Sequence, residues 1–397
     1  MRILPLLAPL LVFGLVVFVH ELGHFLAAKA VGIYAPVFSL GWGRRVWGMR
    51  RGETDYRLSL FPIGGYVRMA SREDEAMAAF EGGGDRGNLA DTAAAQQGEP
   101  GLPWDESALV PFGPKPVPSN RWFESKPLWA KLVVMLAGVT MNFLLAIVVL
   151  SGLRMTAGVA NPAPVIGSIL PNSPAAAGGL VPGDSVVSID GAPIAAWKDL
   201  VAIVTTKAGT PLRFRIVRSG AEQQVTMTPA ATVDTNPRTG VVRTLGRIGA
   251  AGSRMRLGPI DAVRDGVEST WGTVVSTVDV LGGLLSGNVS PKQLGGPLMI
   301  AQASVQTAQS GGLEAVLALL ALISVNIAVL NLLPVPVLDG GQVLLAVLES
   351  VRGKPLGERA KGAIMYAGVG LVLLLLITTT FNDVARIGSQ LLGHFRG

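Results

Sequence analysis

The chain has no cysteine and only three histidines. The first absence excludes disulfides and thiolate metal sites, and it leaves the redox compartment open. The second narrows any imidazole site to His20, His24 and His394. Charge is scarce too: Asp, Glu, Lys and Arg make up 15% of the 397 residues, against a hydrophobic share of 49%. With a mean hydropathy of +0.47, that balance points to a polytopic membrane protein carrying one or more soluble parts. The formal charge of +6 is not read as a nucleic-acid surface, because the basic residues cluster beside apolar runs, as membrane topology requires.

The stretch Val19-His20-Glu21-Leu22-Gly23-His24-Phe25 lies inside the first of those runs. Titratable groups at membrane depth are costly and are seldom there without a function. Four residues apart on a helix, His20 and His24 share a face from which two imidazoles can grip one metal ion, with Glu21 beside them. This is the H-E-x-x-H pattern, in which the Glu acts as general base toward a water at the metal. A chance H-E-x-x-H on a solvated helix is the bland alternative, and the apolar setting argues against it. With no cysteine, the third ligand is an Asp or Glu unless His394 folds back.

Four runs are long enough to cross about 30 Å of hydrocarbon: 3–28, 132–153, 315–338 and 362–382. Ala28-Lys29-Ala30 resembles a signal-peptidase site, but a discarded leader would not need the histidines, so the first span is read as retained. Basic residues crowd the loops after the first and third spans (Arg44, Arg45, Arg50 and Arg51 in one, Arg352 and Lys354 in the other). The positive-inside rule puts both loops in the cytoplasm and leaves 154–314 and both termini outside.

The expected order is a first transmembrane helix (1–31), a cytoplasmic membrane-associated β-hairpin (32–70), a mostly disordered insertion and linker (71–130) and a second transmembrane helix (131–155). An exported α/β domain (162–231), a linker with an amphipathic helix (232–312), a third transmembrane segment (313–341), a fourth helix (361–383) and a tail (384–397) complete it. The hairpin rests on alternation around Tyr56, Leu58 and Leu60 with a Gly64-Gly65 break; its open edge could accept an extended peptide, or it is an interfacial hairpin that only plugs the bundle, and the sequence favours neither. The insertion is rich in Ala, Gly, Asp, Glu and Pro without periodicity. From Ser173-Pro174-Ala175 through Gly183-Asp184 to Ile189-Asp190-Gly191 the exported domain resembles a bacterial PDZ domain, a fold that binds peptide by strand addition. Val263, Val267, Trp271, Val274 and Val278 give residues 259–285 a helical apolar pattern suited to a membrane surface.

The third span ends in Asn331-Leu332-Leu333-Pro334-Val335-Pro336-Val337-Leu338-Asp339-Gly340-Gly341. Two prolines and two glycines break the helix, and irregular backbone at membrane depth is tolerated only where it is buried in protein or lines a wet cavity. Asp339 is the carboxylate best placed to reach that cavity, whereas Glu349 and Asp383 lie nearer the ends of apolar stretches, where snorkelling or capping is the default. Asp339 is assigned as third ligand, with the fourth position of a catalytic zinc site left open. A cap at the following helix would explain Asp339 but not two histidines lacking a third ligand.

Together, H-E-x-x-H in the first span, a PDZ motif between spans two and three, and N-x-x-P-x-P-x-L-D-G-G in the third resemble the site-2 protease family, in its bacterial regulator-of-sigma-E protease branch. The likeness covers nearly the whole chain except residues 71–120. It implies a polytopic α-helical membrane protein with four transmembrane helices, a membrane-associated hairpin and one exported PDZ domain, sited in the bacterial inner membrane with the active site near the cytoplasmic side. It implies one Zn2+ held by His20, His24 and Asp339, with Glu21 as catalytic base. Asn331 and Pro334 would help to position substrate, and Gly64 and Gly65 belong to the hairpin that holds it extended. The implied partners are single-span membrane proteins, such as an anti-sigma factor or signal-peptide remnants, and the lipid bilayer; no nucleic acid is expected. Gln342 stands where many relatives carry His, Val139 where relatives often carry Pro, and one PDZ motif is visible where the best-known members have two. The rival readings are a non-catalytic PDZ membrane adaptor with a structural metal site, and a metal permease. Structural zinc sites usually close with four protein ligands, and a general base with a peptide-binding domain fits a permease poorly.

Overall fold

The computed structural model describes residues 4–71, 117–235, 242–290 and 295–396. The insertion expected over 71–130 therefore falls largely outside the described residues, as does the side chain of His394. Two units divide the chain, one formed by residues 1–151 and 263–397 and the other by 152–262.

The larger unit begins with α1 (Leu4–Ala30), whose Pro9 sits near its start, and continues into β1 (Val37–Arg51) and β2 (Thr54–Arg68). These two strands make more than a simple hairpin. Residues 45–51 pair antiparallel with 54–59, while 37–40 pair both with 55–58 and, antiparallel, with 65–68. Four segments thus lie side by side in the order 45–51, 54–59, 37–40, 65–68, and among the described residues 65–68 has a strand partner on one side only. Gly64 makes the bend possible: its φ is +90°, a left-handed value that a Cβ disfavours. Buried Asp55 accepts hydrogen bonds from Arg57 Nε (2.6 Å) and Arg45 Nη2 (3.3 Å), which compensates the burial of its charge.

Beyond the insertion, α2 (Leu128–Thr156) crosses into the smaller unit. There the elements are β3 (Val159–Ala160), β4 (Ile166–Ile169), α3 (Pro174–Ala177), β5 (Ser185–Ile189), β6 (Ala192–Pro193) and α4 (Trp197–Thr206). They continue as β7 (Leu212–Arg218), β8 (Ala221–Met227), β9 (Ala230–Thr235), β10 (Val242–Arg247), β11 (Ala250–Gly252) and β12 (Arg254–Met255). The main sheet has the order β6-β5-β7-β8. Its alternating residues Leu212, Phe214 and Ile216 pack against Leu200 and Val204 of α4, as period-2 and period-3.6 patterns require. At the predicted turn, fully buried Asp184 accepts from Val181 N–H and from both Nε and Nη2 of Arg218.

The chain returns through α5 (Pro259–Leu285), α6 (Pro297–Asn331), α7 (Asp339–Arg352) and α8 (Glu358–Arg396). Among the described residues, four helices, within 5–30, 128–156, 297–331 and 359–388, are long and apolar enough to cross a membrane. α6 breaks at Gly312, where φ is +62° and ψ is −152°, so the third span has a helical segment before it. Its far end stops at Asn331, and residues 332–338 form the irregular stretch that the prolines predict. Asp383 of α8, 1% exposed, accepts from the Gly296 and Met299 amides and so caps the start of α6 from a distance.

α5 packs on the larger unit through one face. The face that packs combines small and hydroxyl-bearing residues with Val274 and Leu281: a Cβ on Gly266 would meet Ser151 Oγ at 2.5 Å, Thr270 is buried, Thr277 Oγ1 donates to Asn326 Oδ1 at 2.8 Å, and Val274 and Leu281 pack against the cluster of Ala146, Ala321, Val325 and Val329. Val263, Val267, Trp271 and Val278 instead point away, with Trp271 67% exposed. Apolar residues facing outward beside apolar spans suit lipid, and small residues let helices approach closely inside it.

Candidate active site

α1 buries every fourth residue. Ala8, Val12 and Val16 are 0% exposed, His20 and His24 are 8% and 9%, and Ala28 is 0%. That spacing lays the side chains in one stripe. Its first half packs on Val316, Leu320 and Ile323 of α6, and the histidines take the next two positions, where α7 begins. The two Nε2 atoms stand 3.1 Å apart. Asp339 Oδ2 lies 3.3 Å from His20 Nε2 and 3.5 Å from His24 Nε2. One ligand atom from each of the three residues fits within 4.8 Å of the others.

These donors suit a metal ion better than they suit one another. Asp339 Oδ2 is buried and accepts no well-formed hydrogen bond, although both imidazoles are within ion-pair distance. A buried carboxylate oxygen without a hydrogen bond, facing two imidazole nitrogens 3.1 Å apart, is what a cation between them would resolve, and two imidazoles with one carboxylate form an open zinc donor set. The helix-cap alternative for Asp339 is not seen: Leu338 occupies the N-cap position of α7, with no side-chain cap.

The other sequence-predicted residues fall into two groups. Asn331 reaches the centre, with Nδ2 3.5 Å from His20 Nε2. Glu21 faces the backbone of Val67 on the free edge of β2. A Cβ on Gly65 would lie 3.6 Å from Glu21 Cγ and only 2.7 Å from Ser39 O, so that edge runs beside the carboxylate and closely against β1. Gly64 supplies the bend, and its hydrogen atom faces Trp42 Nε1. Pro334 is exposed in the irregular stretch, and no described contact joins it to the histidines.

Three groups on α2 escape sequence reasoning. Val134 O accepts from His24 Nδ1 at 2.8 Å, Asn142 Nδ2 lies 3.4 Å from His20 Nδ1, and Gly138 sits against both imidazoles. Gly23 on α1 meets Ala137 O in the same close approach. Asn142 is one polar residue in an apolar span and follows Gly138 by four, so the pair shares a helix face. That was the available signal.

The model of peptidase family M50 matches residues 8–375. The chain belongs to this family, the site-2 proteases. Similar curated proteins include the zinc metalloprotease RasP of Geobacillus kaustophilus, 31% identical over 95% of this chain and 97% of its own. The regulator of sigma-W protease RasP of Bacillus subtilis is 30% identical over 96% and 98%, and the metalloprotease MmpA of Caulobacter vibrioides is 30% identical over 97% and 96%. Among solved structures, the PDZ domain of an SdrC-like protein from Listeria monocytogenes covers 23% of this chain and 88% of its own, at 20% identity and a TM-score of 0.17. A score that low carries no argument, and the PDZ reading of the smaller unit rests on its sequence motif.

Proposed function

We propose that this M50 peptidase is a zinc-dependent intramembrane endopeptidase that cuts transmembrane segments of membrane proteins. The observation that carries the reading is the convergence of His20 and His24, on a membrane-spanning helix, with Asp339 from the far end of the chain. The chain is a metalloprotease, and zinc is its cofactor. Zinc, when bound, supplies Lewis acidity and makes water nucleophilic near neutral pH.

Each protein group then has one task. A helical substrate hides its amides in intrahelical bonds, so it must unwind before a carbonyl can be attacked. The edge of 65–68 that faces away from 37–40 is where an extended segment can add as a strand. That edge passes Glu21, so a peptide on it is carried to the carboxylate. Glu21 takes one proton from the attacking water; the water oxygen bonds to the peptide carbon, the C–N bond breaks, and Glu21 returns the proton to the leaving amine. The Asn331 amide donates to the carbonyl oxygen as its negative charge develops.

Substrates of one membrane span suit this arrangement, either an anti-sigma factor or signal-peptide remnants. The name of the Bacillus subtilis relative supports the first. We place the protein in the bacterial inner membrane, with the active site near the cytoplasmic side and the PDZ-like unit and termini outside, on the strength of the basic loops. The test is cleavage of a single-span model substrate in liposomes by wild type and Glu21→Gln, with zinc content measured for both. Cleavage by wild type alone, with zinc in both, is the expected result. Cleavage retained by Glu21→Gln would overturn the assignment.

A further inference from the structure

We propose that Asn142 is the positioning residue of His20: its side-chain carbonyl accepts the Nδ1–H of that imidazole and so holds Nε2 on the metal. The inference rests on the zinc reading above and deepens it.

The Nε2 atoms of His20 and His24 face each other and Asp339, so Nδ1 is the rear atom of each ring. A neutral imidazole that ligates through Nε2 carries its proton on Nδ1, and that N–H needs an acceptor. For His24 the acceptor is Val134 O at 2.8 Å. For His20 the group in that place is the Asn142 carboxamide, with Nδ2 at 3.4 Å. In this rotamer the carboxamide presents Nδ2 to Nδ1, which puts donor against donor when the ring carries its proton on Nδ1, and Asn142 Oδ1 is buried without a hydrogen-bond partner among the described residues. Amide oxygen and nitrogen exchange places by a half-turn within one volume, and their assignment follows the hydrogen-bond network. The exchange turns an unused acceptor toward the waiting N–H.

The position is rigid enough to matter. Asn142 is 0% exposed, and its backbone carbonyl accepts from Ser324 Oγ of α6 at 2.8 Å, in a site where Ser324 is itself 0% exposed. Helix α2 therefore orients both histidines, one through its backbone and one through a side chain. Only the second can be removed by substitution. Partners of this kind typically contribute 10- to 100-fold in metal affinity.

The experiment is zinc competition against a chelator on the full-length protein in detergent, comparing wild type, Asn142→Leu and Asn142→Asp, with Co2+ spectra of each. Leu keeps the approximate volume and removes the acceptor; Asp keeps an acceptor. We expect Asn142→Leu to bind zinc about 10- to 100-fold more weakly, to show an altered Co2+ spectrum, and to regain cleavage as free zinc is raised. Asn142→Asp should stay within a few-fold of wild type. Should Asn142→Leu fail to fold, Asn142→Ala carries the same comparison. Zinc bound equally tightly by wild type and the acceptor-free variants overturns the role of Asn142 alone. Failure of wild type to bind zinc overturns the underlying functional reading instead.

Discussion

Gly138 of α2 stands so close to His24 Nε2 that no side chain fits between them: a Cβ there would also lie 2.7 Å from His20 Cε1. The glycine is a spatial requirement of the site, since its backbone angles lie outside the left-handed region. The missing methyl leaves the room in which the two imidazoles converge.

Gly138→Ala is accordingly expected to displace both rings. Overpacking of this kind costs about 1–3 kcal/mol, so the fold should survive while zinc content drops at least about 10-fold, as for lost ligand support. Metal analysis of the purified variant checks it; full zinc occupancy would mean that the helices separate more easily than the packing implies.

Glu21→Gln keeps the shape of the side chain and removes the proton acceptor. Cleavage should fall by about 100-fold or more, the usual scale of general-base catalysis, with zinc content unchanged. Asp339→Ala should lose both, because it takes away a ligand.

At the C-terminal end of α1, Glu53 in the β1–β2 turn accepts from Arg121 Nη1 and Nη2, each at 2.7 Å, and pairs with Lys29. The bidentate Arg121 bond, helped by Lys29 and opposed by burial, pulls the Glu53 carboxyl down to about 2 from its ordinary 4.5. A depressed carboxylate stabilises the fold above its unfolded value, and that contribution is lost as pH falls from about 4.5 toward 2. The group is partly exposed, so about 1–2 kcal/mol is expected after screening. Thermal unfolding of wild type and Glu53→Gln in detergent should differ at pH 7, and the gap should narrow as pH falls through about 4.5 toward 2; a gap that stays constant over that range would remove the charge as the cause.

Deleting residues 165–230 tests the PDZ-like unit. If it is a gate, a substrate still carrying a bulky external domain becomes cleavable. A deletion that only slows cleavage of trimmed substrate would make the unit a docking module.

Much of the site was legible because it is local. The i, i+4 spacing of His20 and His24 needs nothing beyond helix geometry, and the four apolar runs announce themselves by length. The break after Asn331 follows from Pro334 and Pro336, which cannot continue a helix bonded to the preceding turn. Asp339 was reachable only by elimination, since no local pattern tells a ligand from a surface acid.

The tertiary structure decided what depends on partners distant in sequence. Alternation along 37–68 marks strands, but it cannot say that 37–40 use both edges and leave 65–68 open beside Glu21. The apolar periodicity of α5 was legible, but which of its residues turn inward depends on the surroundings: Val274 packs with Leu281, while Val263, Val267, Trp271 and Val278 turn out. Asn142 and Gly138 looked like ordinary residues of an apolar helix, because a hydrogen bond to His20 and a space for two imidazoles exist only once α1 and α2 lie side by side. The sequence by itself determined which groups can ligate and catalyse, through spacing and composition. Only tertiary packing decided which groups hold them in place, because orientation is set by contacts between helices that no local period encodes.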